Sequence, residues 1–413
     1  MSKVIMKYRT WTKTKYADQQ AKAGMFLRML VVGLVSAGLV SAGLVSVAQA
    51  GPREQARRIH DRLSGVPPTE SVLSAMEAVV QNNNPIAAAY TAMDNANFYN
   101  VTLKNFAAPW TNEAQSAFVP LNDYIATVIG MIRDEVPFNT LLSADLLYVG
   151  AGGLPIAAYS GSSNQHYADI ERLGLDMSNP AVLTQTSQSV LPGGVPANAA
   201  AGIMTSRAAA EAFFIAGTNR AMFRFTMLNH MCNDMQQVHD VKLPPDRIRQ
   251  DVSRSPGGDS RLFLNNCIGC HNGMDPMTQA FAYYNFNEAS GNIEYTAGQV
   301  QPKYFNNEDN FPFGFVTPDD SWDNYWRSGQ NQFLGWSSSL PGSGNGAQSL
   351  GEELGNSDAF ASCQVKKVFK AVCLREPEDA NDRAQVDTMV STFKTVYSMK
   401  RVFADAAVYC MGQ

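Results

Sequence analysis

At 413 residues, with 45% hydrophobic and 17% charged side chains, the chain has the composition of an ordinary folded protein and the length to bury a core without staples; disordered and fibrous classes are excluded. The formal charge of −5 comes from 32 Lys+Arg against 37 Asp+Glu, and its distribution is uneven. Lys3, Lys7, Arg9, Lys13, Lys15, Lys22 and Arg28 stand against Asp18 alone, and an uncharged run then fills Met29 to Ala50. A basic n-region, an apolar h-region and a closing Ala48-Gln49-Ala50 give residues 1–50 the form of a secretory signal peptide, with cleavage expected after Ala50. An uncleaved anchor is the rival reading, but Gly, Ser and Ala leave the run weakly hydrophobic. Without that segment's seven basic and one acidic residue, 25 Lys+Arg face 36 Asp+Glu, a net charge of −11. Such an acidic surface disfavours nucleic acid and anionic lipid. The expected location is the periplasm or cell envelope, with peripheral membrane contact at most and protein partners of basic or neutral surface.

After the leader, helical periodicity dominates, and the expected fold is mainly α. Residues 51–200 read as an N-terminal helical region. In "TESVLSAMEAVV", Val72, Leu73, Met76, Val79 and Val80 share one face behind a Thr69 cap. "EAQSAFVPLNDYIATVIGMIRD" continues the pattern through Phe118, Leu121, Ile125, Ile129 and Ile132. Between Tyr148 and Asn198, Gly, Ser, Asn and Pro predict surface loops. Residues 201–290 return to helix, with a break expected at Gly217. Residues 291–346 lose the period and read as an irregular insertion, in which "NIEYTAGQVQPKYF" has the pattern of a short β-hairpin. Residues 347–413 predict a C-terminal helical hairpin, its helices divided by "CLREPEDAN".

One short stretch carries chemistry. In "NNCIGCHNGMDP", Cys267, Cys270 and His271 form a C-x-x-C-H pentad, a spacing that six Cys and five His would produce by chance roughly once in a thousand such chains. On a helix these residues stand at i, i+3 and i+4 and project from one face. Two thiols there can form thioethers with the two vinyl groups of a porphyrin, and the imidazole can bind its iron, so the pentad reads as an attachment site for one covalent haem c. Export fits, because bacterial haem c is attached after translocation. Leu262 and Phe263, just upstream, are candidates to wall the porphyrin edge. A zinc site would want about four ligands, and no second Cys or His pair at short spacing exists. A thioredoxin-like site would want a βαβ pattern, which is absent, and a plain disulfide would leave His271 without a role.

The segment "CIGCHNGMDPMTQAFAYYNF" resembles the C-x-x-C-H-x-x-M-D-P segment of the planctomycete-type cytochrome c family. "DRLSGVPPT", "VPFNTLLSADLLYV", "GIMTSRAAAEAFFIAGTNRAMFRF" and "SLGEELGNSDAFASCQVKKVFKAV" resemble the same family in the same order, so the likeness covers most of the chain after the leader. The resemblance implies a mainly helical, exported, single-haem protein with a redox partner it does not specify. The chain departs from the family at "NEASGNIEY", which replaces a Gly and an Arg, and in Cys373 and Cys410, so disulfides cannot be carried over.

With His271 as the proximal ligand, its ring N–H is expected to meet a carbonyl near Pro276. Met274 is too close in sequence to pass around the porphyrin and should pack on the proximal side. Met399 leads the distal candidates on ligand type, followed by Met389, Met411, His60, His166, His230 and His239; for each of these, core packing is the ordinary role. Cys232, Cys363, Cys373 and Cys410 remain as disulfide candidates in an exported chain. Cys363 and Cys373 on one helix would be separated by roughly 15 Å along its axis, beyond bonding reach. Two connectivities stay open: Cys232–Cys363 with Cys373–Cys410, or Cys232–Cys373 with Cys363–Cys410. A single helical hairpin turning near Glu378 favours the second. The function indicated is electron transfer by an exported monohaem cytochrome; a haem peroxidase or oxidase with an open distal site, and a haem-stabilised envelope scaffold, are the alternatives.

Overall fold

The computed structural model describes residues 50–412, so the stretch read as a signal peptide, apart from Ala50, lies outside the described residues. Helix α1 (Pro52–Ser64) starts on a proline, where a missing N–H costs nothing, and stops at Gly65 in the left-handed conformation (φ 71°). Its Ala56, Ile59 and Leu63 stripe is buried where α1 packs on α2 (Glu70–Gln81) and α3 (Pro85–Met93). Thr69 caps α2 as expected, its hydroxyl accepting from the Val72 N–H, and Leu73, Met76 and Val80 form the buried face. Val72 and Val79 lie at the margin of that face.

The next helix is shorter than its periodicity suggested. α4 (Asp123–Arg133) begins only after Asn122, whose side chain accepts from the Ile125 N–H. Upstream, Pro120 disfavours helix in the residue before it, and Phe118, expected on the apolar face, is 99% exposed. All of α4 is buried. Part of that cover was unforeseen. Within the stretch read as loops, β1 (Leu147–Gly150) pairs antiparallel with β2 (Leu183–Thr186), and α5 (Gln165–Arg172) lies between them in sequence. Tyr148 anchors this sheet by filling the space over Gly130 of α4, where a Cβ would stand 2.1 Å from the tyrosine ring.

α6 (Arg207–Phe213) and α7 (Arg220–Met231) are separated by a break containing Gly217 at φ 60°, as the sequence indicated. α7 packs on both α8 (Ile268–Thr278), which carries Cys270 and His271, and a later helix, α10 (Asp358–Cys373). After α8 the expected hairpin forms one strand earlier than predicted: β4 (Asn292–Tyr295) pairs with β3 (Tyr284–Asn287) rather than with a strand downstream. β5 (Ser321–Asp323) and β6 (Ser343–Asn345) close the irregular segment, and α9 (Gly346–Gly355) follows. Among the described residues the fold is mainly helical, with three small two-stranded antiparallel sheets. Gly51–Gln413 forms one unit, so the regions read from the sequence share a common core. No helix among the described residues is long and apolar enough to cross a membrane.

The C-terminal region is a three-helix layer, not the expected hairpin. α11 (Ala380–Val396) runs back along α10, and Tyr397, in the left-handed conformation (φ 53°), turns the chain into α12 (Met399–Tyr409). This reversal decides the disulfides, which are Cys232–Cys363 and Cys373–Cys410, with Cα–Cα separations of 5.3 and 5.5 Å. The pairing favoured by a hairpin is therefore corrected. Lys394 reaches Asp358 at the start of α10. α12 then returns to the other end, where Tyr409 donates to Asp382 (2.8 Å) and the Cys373 sulfur lies 3.8 Å from the Ala406 carbonyl. One extra helix brings Cys410 level with Cys373. The layer also docks on the N-terminal helices: Arg62 of α1 donates to the Val372 carbonyl (2.9 Å), and Gln55 and Arg58 to those of Gly412 and Met411.

Candidate functional site

The pentad lies where one helical segment changes pitch. Asp259 caps a short helical turn by accepting from the Arg261 N–H, a π-helical turn spans Phe263–Cys267, and regular helix resumes in α8. Wide turns of this kind are often found at functional sites. Asp240 donates its N–H to the Gly269 carbonyl (2.8 Å), and Asn272 donates to the Asp240 carbonyl (2.6 Å), fastening the helix to the 232–243 loop. Two glycines permit close cover on the same side. A Cβ on Gly269 would meet the His239 ring at 2.3 Å, and one on Gly273 would meet the buried Trp326 ring at 2.1 Å. At about 100° per residue, Gly269, Asn272, Gly273 and Pro276 occupy the face opposite Cys267, Cys270 and His271. The pentad is thus presented outward from a helix whose back is packed.

Cys267 and Cys270 are unbonded and partly exposed, while the other four cysteines pair. The Cys270 sulfur lies 3.5 Å from the Met235 carbonyl. Burial pushes its thiol above the usual range, with Cys267 and Asp234 adding to the effect. Around this face the apolar groups are Leu262 and Leu264, both about half exposed, and Phe263, which is buried. The Arg254 guanidinium stacks between Phe263 (4.9 Å) and Phe311 (4.5 Å), and Phe313, almost wholly exposed, lies 6.1 Å from Phe311. Leu262 therefore lies at an open rim, and Phe263 lies beneath.

His271 keeps 20% of its side chain exposed, and its Nδ1 is 3.1 and 3.2 Å from the two carboxylate oxygens of Asp275. The expected backbone carbonyl is replaced by a side chain one turn along the same helix, at i, i+4. Asp275 has no exposed side-chain surface, and Arg220 grips it with two hydrogen bonds of 2.7 and 2.9 Å. Arg220 holds Asp251 in the same way at 2.6 and 2.9 Å. Burial alone would raise the Asp275 pKa, but Arg220, His271 and Arg249 hold it well below the ordinary carboxylate range. In the neutral tautomer that donates Nδ1–H to this carboxylate, Nε2 is the lone-pair nitrogen, the one that could bind a metal.

Met274 is buried. The distal candidates lie elsewhere. Met399 is fully buried at the start of α12, beside the Ser398 cap and the Glu135–Phe138 turn, in a helix packed mainly on α1, α3, α4, α10 and α11. The structure does not bring Met399 to the pentad, because the turn at Tyr397 places it in the C-terminal layer. Met389, in α11, and Met411, after α12, belong to the same layer. His60 bonds the Val66 carbonyl; His166 bonds the Ala157 carbonyl and the Gly150 N–H. His230 bonds the Tyr124 hydroxyl at 2.7 Å, and His239 sits behind α8. Asp275, Arg220 and Asp251 were missed; the i, i+4 spacing of His271 and Asp275 was the available signal.

Among the described residues no three or more His, Cys, Asp or Glu side chains converge as a metal cage. The two thiols and one free imidazole nitrogen suit a group that brings its own equatorial ligands. The chain matches no protein-family model, no curated protein and no solved structure.

Proposed function

We propose that the chain is an exported monohaem c-type cytochrome that transfers electrons to a protein partner in the periplasm or cell envelope. The observation that carries this reading is the single outward face on which Cys267, Cys270 and His271 stand, with the cysteines unbonded and Nδ1 of the histidine engaged by Asp275. Cys267 and Cys270 would hold the porphyrin through thioethers, and His271 would bind the iron through Nε2. A haem bound there supplies one-electron exchange between ferric and ferrous iron. The chain's own contribution is orientation. Asp275 would orient the His271 ring, Arg220 fixes Asp275, and Leu262, Leu264 and Phe263 provide apolar surface.

The resemblance to the planctomycete-type cytochrome c family supports the same reading. The test is expression with export and haem-maturation machinery, followed by an alkaline pyridine spectrum and intact mass. One covalent haem is expected; a colourless polypeptide of unaltered mass refutes the reading. Cys267→Ala should weaken attachment, and His271→Ala should change ligation while thioethers persist. A second reading, a haem peroxidase or oxidase with an open distal position, is favoured by the placement of Met399 and the other candidates away from His271. High-spin iron that binds cyanide or peroxide rapidly would select it; low-spin iron with a methionine-to-iron charge-transfer band would select the carrier.

A further inference from the structure

The partner of the His271 ring is an anion, not a peptide carbonyl. Both Asp275 oxygens lie within 3.2 Å of Nδ1, and the carboxylate has no exposed surface over which water could share its charge. Its position is set by Arg220, which closes a two-point grip on the same two oxygens. Arg220 is not given to Asp275 alone, since it makes the same grip on Asp251. Arg220 thus divides its side-chain hydrogen bonds between two carboxylates. The nearby Arg249 donates its backbone N–H to Asp275 (3.4 Å) and acts on it by charge, but its guanidinium makes its hydrogen bonds to Thr218 and lies over the Tyr304 ring. A hydrogen bond from a metal-bound imidazole to a carboxylate raises the basicity of the ligand, and a more electron-rich ligand favours the more positive oxidation state of the metal.

We infer that Asp275 is a positioning residue that makes His271 an electron-rich axial ligand, so that the centre favours ferric iron and works as a low-potential one-electron donor to an acceptor of higher potential. The inference rests on the reading of the pentad as a haem c attachment site. With haem bound, one electron would enter from a donor of lower potential and leave for the acceptor in each turnover, and the Nδ1 proton would stay on the imidazole.

The test is a redox titration of the haem-loaded protein beside Asp275→Asn and Asp251→Asn, with intact mass recorded for each. Asp275→Asn should move the ferric/ferrous equilibrium at least tenfold toward ferrous, a rise in midpoint of about 59 mV for one electron. Asp251→Asn removes an equal charge from the same arginine without touching His271, and should move it less than threefold. Arg220→Gln leaves the hydrogen bond and strips the counter-charge, so it should shift the equilibrium toward ferric. This variant decides the matter if Asp275→Asn fails to fold. A haem-loaded Asp275→Asn with less than a threefold shift, an equal effect of Asp251→Asn, or a ferrous shift in Arg220→Gln each overturns the inference. Wild-type protein without covalent haem refutes the attachment reading itself, a result that the mass separates from all of these.

Discussion

Replacing Gly273 by alanine probes whether the back of α8 is as tightly closed as the structure has it. Within a helix the substitution should by itself stabilise by about 1 kcal/mol, because alanine loses less backbone freedom than glycine. Here the new methyl would stand 2.1 Å from Nε1, 2.6 Å from Cε2 and 3.0 Å from Cδ1 of Trp326. Non-bonded heavy atoms prefer about 3.5–4.0 Å, so the indole would have to retreat by roughly 1.5 Å. It has little freedom to do so: Trp326 is fully buried, its ring centroid is 5.8 Å from that of Phe223, and its carbonyl accepts from Trp336 (3.0 Å). Overpacking of this kind costs about 1–3 kcal/mol and more where rigid rings meet backbone. The expected net loss is about 2 kcal/mol, read as a lower urea midpoint at unchanged slope. Trp326→Leu makes room, so adding Gly273→Ala in that background should cost less by at least about 1 kcal/mol, a coupling that a double-mutant cycle isolates. An alanine variant as stable as the parent, or two additive effects, would show that Trp326 does not rest on α8.

Proteolytic mapping of the unreduced protein should recover Cys232 linked to Cys363 and Cys373 linked to Cys410; peptides joining Cys363 to Cys410 would refute the three-helix C-terminal layer. Removing the second bridge as Cys373→Ser with Cys410→Ser should cost about 4 kcal/mol on loop-closure entropy for its 37-residue separation, measured as the change in urea unfolding free energy. Burial first, and Lys367 second, hold His230 neutral far below the ordinary histidine range, so the unfolded chain binds the extra proton. Stability from this residue is therefore complete above about pH 6.5 and falls as pH drops below it; His230→Gln should flatten that part of a midpoint-versus-pH curve, and a curve of unchanged slope would contradict it. Leu374 follows α10 in the left-handed conformation (φ 58°) and is 72% exposed, so Leu374→Gly should stabilise by about 0.5–1 kcal/mol in thermal unfolding.

The features that could be read from sequence were those set by local chemistry. Thr69 announces a cap, Gly217 a break, and the length of α10 alone forbids a bond between Cys363 and Cys373. The pentad likewise declared its face, since i, i+3 and i+4 align on any helix. What escaped depended on contacts between distant segments. Nothing in Tyr397 marks it as a left-handed turn, yet that residue splits one expected helix into two, reverses the cysteine pairing and removes Met399 from the pentad. The β1–β2 sheet exists because Tyr148 fits over Gly130, a complementarity that composition does not carry. Phe118 had the right period but stood on the wrong side of Pro120 and the Asn122 cap. Asp275 was overlooked for another reason: its part in the site depends on Arg220, 55 positions earlier in the chain.

Because the Gln55 amide reaches the Gly412 carbonyl, 357 positions away, α1 completes its contacts only when a segment very distant along the chain is in place. Closing so wide a loop costs entropy before contacts reward it, so acquisition of the native state should be slow and limited by docking of these two segments. A polypeptide emerging vectorially would leave α1 waiting, its apolar stripe partly uncovered, until that distant segment arrives.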